Sequence, residues 1–161
     1  MTRDSQSPTI EFQILDQRLQ TWGLPGFQSD MAAAVDLMAC IDGDLLIQAG
    51  APAVLIPAGF AMHIADPFIT ALIAPRSGLG HKKGLVLGNT IGVVDADYTG
   101  QIFVSAWNRN PVGSEPIRIQ AGERIAQLMF VPVIRPQFTV VTSFTQGSER
   151  GAGGFGSTGV A

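Results

Sequence analysis

Charged side chains are scarce in this 161-residue sequence, at 14% against about 25% in an ordinary globular chain. Hydrophobic residues reach 46%, more than a monomer of this size comfortably hides. Two outlets exist for such a surplus: a lipid bilayer, or subunit interfaces that resemble a core cut in half. The longest uncharged run, Leu45 to Met62, is interrupted by Gln48, Gly50, Pro52, Pro57 and Gly59. It reads as two strands and a turn rather than a membrane span, which leaves a homo-oligomer as the expectation. Cysteine is nearly absent. With Cys40 alone, an internal disulfide and a cysteine-built zinc site are excluded, and Cys40 reads as a small buried hydrophobe. Two histidines, His63 and His81, are too few for a histidine-built metal centre. A basic surplus is lacking as well, since the formal net charge is −3, which argues against a nucleic-acid polymer as partner. The opening MTRDSQSPTIEF has no apolar core of the kind a secretory leader needs. The chain is expected to be cytoplasmic and self-associating.

Also missing is any long stretch with helical spacing. What is present instead is punctuation, 19 glycines and 10 prolines, separating short β-rich runs. These are IEFQIL, DLLIQ, AVLIP, FAMHIA, FITALIAP, TIGVVD, QIFVSAWN, PIRI, IAQLMFVPVI and FTVVTSF. Many short strands bounded by turn residues indicate an all-β sandwich, jelly roll or closed barrel. In QIFVSAW, Ile102, Val104 and Ala106 share one face and Phe103, Ser105 and Trp107 the other, as period-two alternation requires. Both faces are largely apolar, so a strand buried on two sides is expected. The helix candidate is RSGLGHKKG, with Ser77 placed to cap a turn or two. From about Gln146 onward the chain turns Gly/Ser-rich and reads as an arm.

Four islands place polar groups among glycines. PRSGLGHKKG, 75–84, offers the Arg76 guanidinium, the Ser77 hydroxyl and free backbone N–H groups, a combination suited to phosphate oxygens; it equally suits a capped surface turn. GNTIGVVDADYTGQ, 88–101, reads as strand, tight turn, strand, with Asp95, Asp97 and Tyr98 around the turn. Asp95 closes an apolar run, and a carboxylate at the edge of an apolar pocket is a candidate general base. GERIAQLMF, 122–130, has Glu123 and Arg124 placed to pair on the surface, while the Gln127 amide needs a partner in backbone or ligand. The tail RGAGGFGSTGVA spells G-x-G-x-x-G at Gly151, Gly153 and Gly156. Five residues after Gly156 cannot build the helix and crossover of a dinucleotide fold. A P-loop fails on the same ground, and on Ser157 standing where its lysine belongs. Arg150 and Phe155 in a glycine-rich arm suit a flap, with an anion-binding end and a stacking ring.

Taken together these stretches resemble the trimeric dUTP pyrophosphatase (dUTPase) family, from about Ile14 to Gly159. Five motifs stand in family order: AAAVDLMA at 32–39, PRSGLG at 75–80, GNTIGVVDADYTG at 88–100, GERIAQLMF at 122–130 and RGAGGFGSTG at 150–159. Each is weakly specific alone; together, in order and suitably spaced, they are strongly specific. The resemblance implies a jelly-roll-like all-β subunit with one short helix. It implies a homotrimer with active sites at subunit interfaces, each assembled from three chains. The expected division is a β-domain over 1–145 and an arm over 146–161 that closes on a site.

The resemblance also assigns roles. Asp95 would activate the water that attacks the α-phosphorus of dUTP. Asn89 and the backbone from Ile91 to Tyr98, Gly92 included, would read the uracil edge, with no room for thymine's methyl. Tyr98 would lie under the deoxyribose and exclude a 2′-hydroxyl. Arg76, Ser77, Gly78 and Gln127 would hold phosphates. Asp36 would help place Mg²⁺ through its waters, the triphosphate supplying most direct ligands. Arg150, Phe155, Gly156, Ser157 and Thr158 would close over uracil and the γ-phosphate. One departure is visible: the family usually has glycine where this chain has Ala34. If that backbone needs φ > 0, alanine is strained and the Asp36 loop shifts. Two alternatives share the scaffold. A dCTP deaminase needs a glutamate in the base pocket, and the acids near this hairpin are Asp95 and Asp97. A non-catalytic nucleotide-binding regulator should have lost the general base or the tail, and Asp95 and Phe155 are both present.

Overall fold

A computed structural model of the chain describes residues 7–148 and Gly151. The strands are β1 (Glu11–Ile14), β2 (Val35–Met38), β3 (Leu45–Ile47), β4 (Val54–His63) and β5 (Ile69–Pro75). They continue with β6 (Leu85–Leu87), β7 (Gly92–Val94), β8 (Gln101–Asn108), β9 (Ile117–Ile119) and β10 (Arg124–Pro132). All pairings are antiparallel. One sheet runs β1-β4-β8-β6, a second β2-β10-β5-β7, and β3 pairs with β9 in a third. The all-β jelly-roll expectation holds. The core lies between the inward faces, with Phe60, Leu37, Ile56, Ile102, Ile125 and Leu128 fully buried. Cys40 is buried and free, as its apolar setting suggested.

Several runs behave differently from their sequence. AVLIP and FAMHIA join into one strand, β4, because Gly59 adopts φ +80° at a break in register between Pro57 and Ala61. A glycine in that conformation makes a bulge where a stop would be read. In β8, Ile102, Val104, Ala106 and Asn108 are buried while Phe103 and Trp107 are exposed, so the described residues cover only one face. FTVVTSF forms no strand. Phe138, Val140 and Phe144 stand 91%, 99% and 90% exposed, since no strand among the described residues reaches them. The turn at RSGLGHKKG is a π-helix over Leu79–Lys83, and no side chain, Ser77 included, makes a capping bond. An α-helix, α1 (Arg18–Trp22), and the short strands β2 and β6 complete the fold without having stood out in the sequence. α1 is held by fully buried Leu19 and by Arg18, which pairs with Asp16 and stacks 5.2 Å over the Trp22 ring.

Candidate active site

Strand register brings three distant motifs together. Asp36 on β2 pairs across the sheet with Gln127 on β10, which pairs in turn with Ala74 on β5. Directly opposed residues share a face, and the next row, Leu128 and Ile73, is buried. The Asp36–Gln127 row therefore looks out from the sandwich. A cavity of about 390 Å³ opens there, lined by Asp36, Arg76, Ser77, Gly78, Lys82 and Gln127 among others. The Asp36 carboxylate is divided between two guanidiniums: Oδ1 accepts from Arg76 Nε at 2.9 Å and Oδ2 from Arg124 Nη1 at 3.2 Å. Arg76 also donates from Nη1 to the Arg124 carbonyl at 3.1 Å. Gln127 finds its partner in backbone, donating to the Pro75 carbonyl at 2.9 Å. Asp36, Arg76 and Gln127, each held by these contacts, all line the cavity.

Arg124 was not recognisable as part of this cluster. The surface pair expected between Glu123 and Arg124 does not form; Glu123 instead lies 3.7 Å from Lys83. The signal in sequence was only the proximity of opposite charges, and Arg124 prefers a half-buried carboxylate 88 residues away. Ala34 introduces no strain, because the described non-glycine residues with positive φ are Ala65 and Thr90. Asp36 accordingly sits in regular strand. Among the described residues no cluster of His, Cys, Asp or Glu is arranged to grip a metal directly.

The third motif makes a separate recess of about 220 Å³, lined by Asn89, Gly92, Asp95, Tyr98, Gln101 and Phe103 among others. Here the expected hairpin is not a paired ladder. β7 belongs to the sheet of β5 and β8 to the other sheet, so the two strands diverge and leave a gap between them. β7 is an edge strand, and an edge presents unpaired N–H and C=O groups. The connecting turn is closed by Tyr98 N–H donating to the Asp95 carbonyl at 3.2 Å. The Tyr98 hydroxyl donates to the Gln101 carbonyl at 3.0 Å, which fixes the ring. Asp95 is exposed, so the described residues do not supply the apolar cover expected around its carboxylate. Arg150, Phe155, Gly156, Ser157 and Thr158 lie outside the described residues. The two recesses have no lining residue in common.

A family model described as dUTPase matches residues 20–159. The chain is 53% identical over 151 residues to a deoxyuridine 5′-triphosphate nucleotidohydrolase of Shewanella pealeana, covering 93% of this chain and 96% of that protein. It is 52% identical over 153 residues to a protein of the same name from Methylococcus capsulatus, covering 94% and 98%. In three dimensions it resembles the Staphylococcus bacteriophage 80alpha dUTPase solved with dUpNHpp, at TM-score 0.81 and 26% identity, covering 96% of this chain and 100% of that one. Fold and matches together define a jelly-roll hydrolase of nucleoside triphosphates. Within that class the chain belongs to the dUTPase family.

Proposed function

We propose that the chain cleaves dUTP between its α- and β-phosphates to give dUMP and pyrophosphate, with Asp95 as general base. A nucleotide of this kind needs a slot for a planar base and a cationic seat for phosphates, and the two recesses have those characters. In the gap between β7 and β8, edge amides and carbonyls of β7 would pair with the uracil edge, and Asn89 would add a side-chain contact. A 5-methyl group would meet the walls of that gap, and an exocyclic amine would present a donor where an acceptor is wanted. Tyr98, fixed by its bond to Gln101, would pack under the sugar. Arg76, Ser77, the Gly78 amide and Gln127 would hold the phosphates.

The chemistry follows from that placement. Asp95 accepts a proton from a water held in line with the scissile bond. The water oxygen bonds to the α-phosphorus, the bond to the bridging oxygen breaks, and pyrophosphate departs with the electron pair. Positive groups positioned before the reaction stabilise charge where it accumulates. Mg²⁺ bound to the triphosphate would neutralise that charge further. Asp36 suits this as an outer partner, since each of its oxygens already accepts from an arginine and has a second lone pair for a metal-bound water.

The single observation that carries the assembly reading is that one chain provides both recesses without joining them. In a homotrimer the β7–β8 gap of one copy would face the Arg76 cavity of the next. The arm, residues 146–161 by our division, would close the site with Arg150, Phe155, Gly156, Ser157 and Thr158. The same apposition would cover Asp95 and the exposed face of β8. We place the enzyme in the cytoplasm, a setting in keeping with its one free cysteine; no described helix is long and apolar enough to cross a membrane. The test is pyrophosphate release measured with dUTP, dCTP, dTTP and UTP separately, each with Mg²⁺. Strong preference for dUTP is expected. Preference for dCTP, or no turnover of any of the four, would sink the reading.

A further inference from the structure

The winding after Arg76 decides which side chains reach the outer cavity. Leu79–Lys83 form a π-helix, closed by the Gly84 N–H donating to the Leu79 carbonyl. Such wide turns are rare and concentrate at functional sites. Here Gly78 and Leu79 line the cavity at one turn, and Lys82 and Lys83 line it at the next, while His81 does not. The cavity thus gathers three cations, Arg76, Lys82 and Lys83, against the one carboxylate of Asp36, in a chain whose net charge is −3.

Two of these cations are already engaged. Arg76 is paired with Asp36 at 2.9 Å, and Lys83 stands 3.7 Å from Glu123. Among the described residues, Lys82 has no carboxylate within ion-pairing distance. It is exposed, and its long stem lets the ammonium swing across the cavity mouth. An ammonium is a point charge with three rotatable donors, suited to the terminal oxygens of a polyphosphate. With Arg76 and Lys83 already paired to carboxylates, Lys82 is the cation of this cavity that the described residues leave open to an incoming anion.

We propose that Lys82 is a further substrate-binding residue, holding the distal end of the triphosphate and, after cleavage, the departing pyrophosphate. The inference rests on reading the Arg76 cavity as the phosphate end of the site. It also makes Lys82 a determinant of phosphate chain length, since a nucleoside monophosphate would not extend to it.

The test uses the full-length enzyme, with Lys82→Gln and Lys82→Arg compared with the parent. In Lys82→Gln, KM for dUTP should rise about tenfold, the range of a charge-assisted hydrogen bond at a solvated site, with kcat within about twofold. Inhibition by inorganic pyrophosphate with Mg²⁺ should weaken by the same factor, while inhibition by dUMP stays unchanged. Lys82→Arg should restore most of both. Because the attraction is solvent-exposed, the gap between parent and variant should narrow as salt is raised from 50 to 300 mM or so. Unaltered KM and pyrophosphate inhibition in Lys82→Gln overturn the proposal. So does an equal weakening of dUMP inhibition, which would mark general steering in place of contact with the distal phosphates. Calorimetric titration of magnesium pyrophosphate judges Lys82 without turnover. If the parent binds pyrophosphate but hydrolyses no dUTP, the functional reading fails and the Lys82 site survives. No pyrophosphate binding by the parent ends the Lys82 site by itself.

Discussion

Tyr98 leans so closely on its neighbour that position 100 admits no side chain: a Cβ on Gly100 would stand 2.5 Å from the Tyr98 hydroxyl oxygen and 2.6 Å from Cζ. Gly100→Ala is therefore expected to displace the ring and break its bond to the Gln101 carbonyl. Misplacing a group that packs under the substrate costs rate well beyond the size of the shift. We expect kcat/KM for dUTP to fall at least about tenfold and the preference for dUTP over UTP to shrink. Steady-state kinetics with both nucleotides measure this; an unchanged ratio would remove Tyr98 from sugar selection. Asp95 makes a cleaner test because it is exposed and no described hydrogen bond ties its side chain to the fold. Asp95→Asn should keep nucleotide binding by calorimetry and lose about 10²–10⁴ in turnover, the usual contribution of a positioned base. Normal turnover in that variant would refute the assignment.

At the scale of elements, α1 hangs on a small electrostatic knot. Asp16 accepts from Arg18 Nε at 2.9 Å, and this hydrogen bond, ahead of smaller charge effects, holds its carboxyl below the usual aspartate range. A carboxyl whose folded-state affinity for protons is lowered contributes stability above its unfolded value, about 3.9, and loses it as pH falls toward the lower folded value. The melting temperature should thus drop more steeply on acidification below about pH 4 in the parent than in Asp16→Asn. Parallel slopes by scanning calorimetry would show that the knot contributes nothing. The arm gives a second element-scale expectation: deleting residues 150–161 should cripple turnover while sedimentation shows the assembly intact. Dissociation of the truncated chain would make the tail a structural staple instead.

Most strands were legible because apolar runs between glycines and prolines have few other ways to fold. The errors share a cause, which is that local punctuation does not report partners. Gly59 looks like a stop, yet at φ +80° it carries β4 onward between β1 and β8. Phe138 to Phe144 look like a strand, yet a strand needs a neighbour to pair with, and the described residues offer none there. Likewise Asp36, Arg76, Asp95 and Gln127 were each conspicuous as polar groups beside glycines or within apolar runs. Their sorting into two separate recesses, and the bond from Arg124 to Asp36, depend on sheet register that no local window contains.

For the molecule as a whole, the low charge content now has an address. Leu55 on β4, Val93 on β7 and Phe103 on β8 are 68%, 62% and 41% exposed, alongside the bare apolar stretch after β10. Surfaces of this character are covered in stable oligomers. Sedimentation equilibrium should return three times the 17.0 kDa chain mass; a monomer at micromolar concentration would refute the shared-site architecture. The separation of the two recesses reaches further than mass. If each catalytic unit takes its base from one copy and its arginine from the next, two individually dead proteins can complement each other. Chains carrying Asp95→Asn and chains carrying Arg76→Ala, unfolded together and reassembled at random, should regain roughly a quarter of the parental sites, because that share of head-to-tail contacts joins two intact halves.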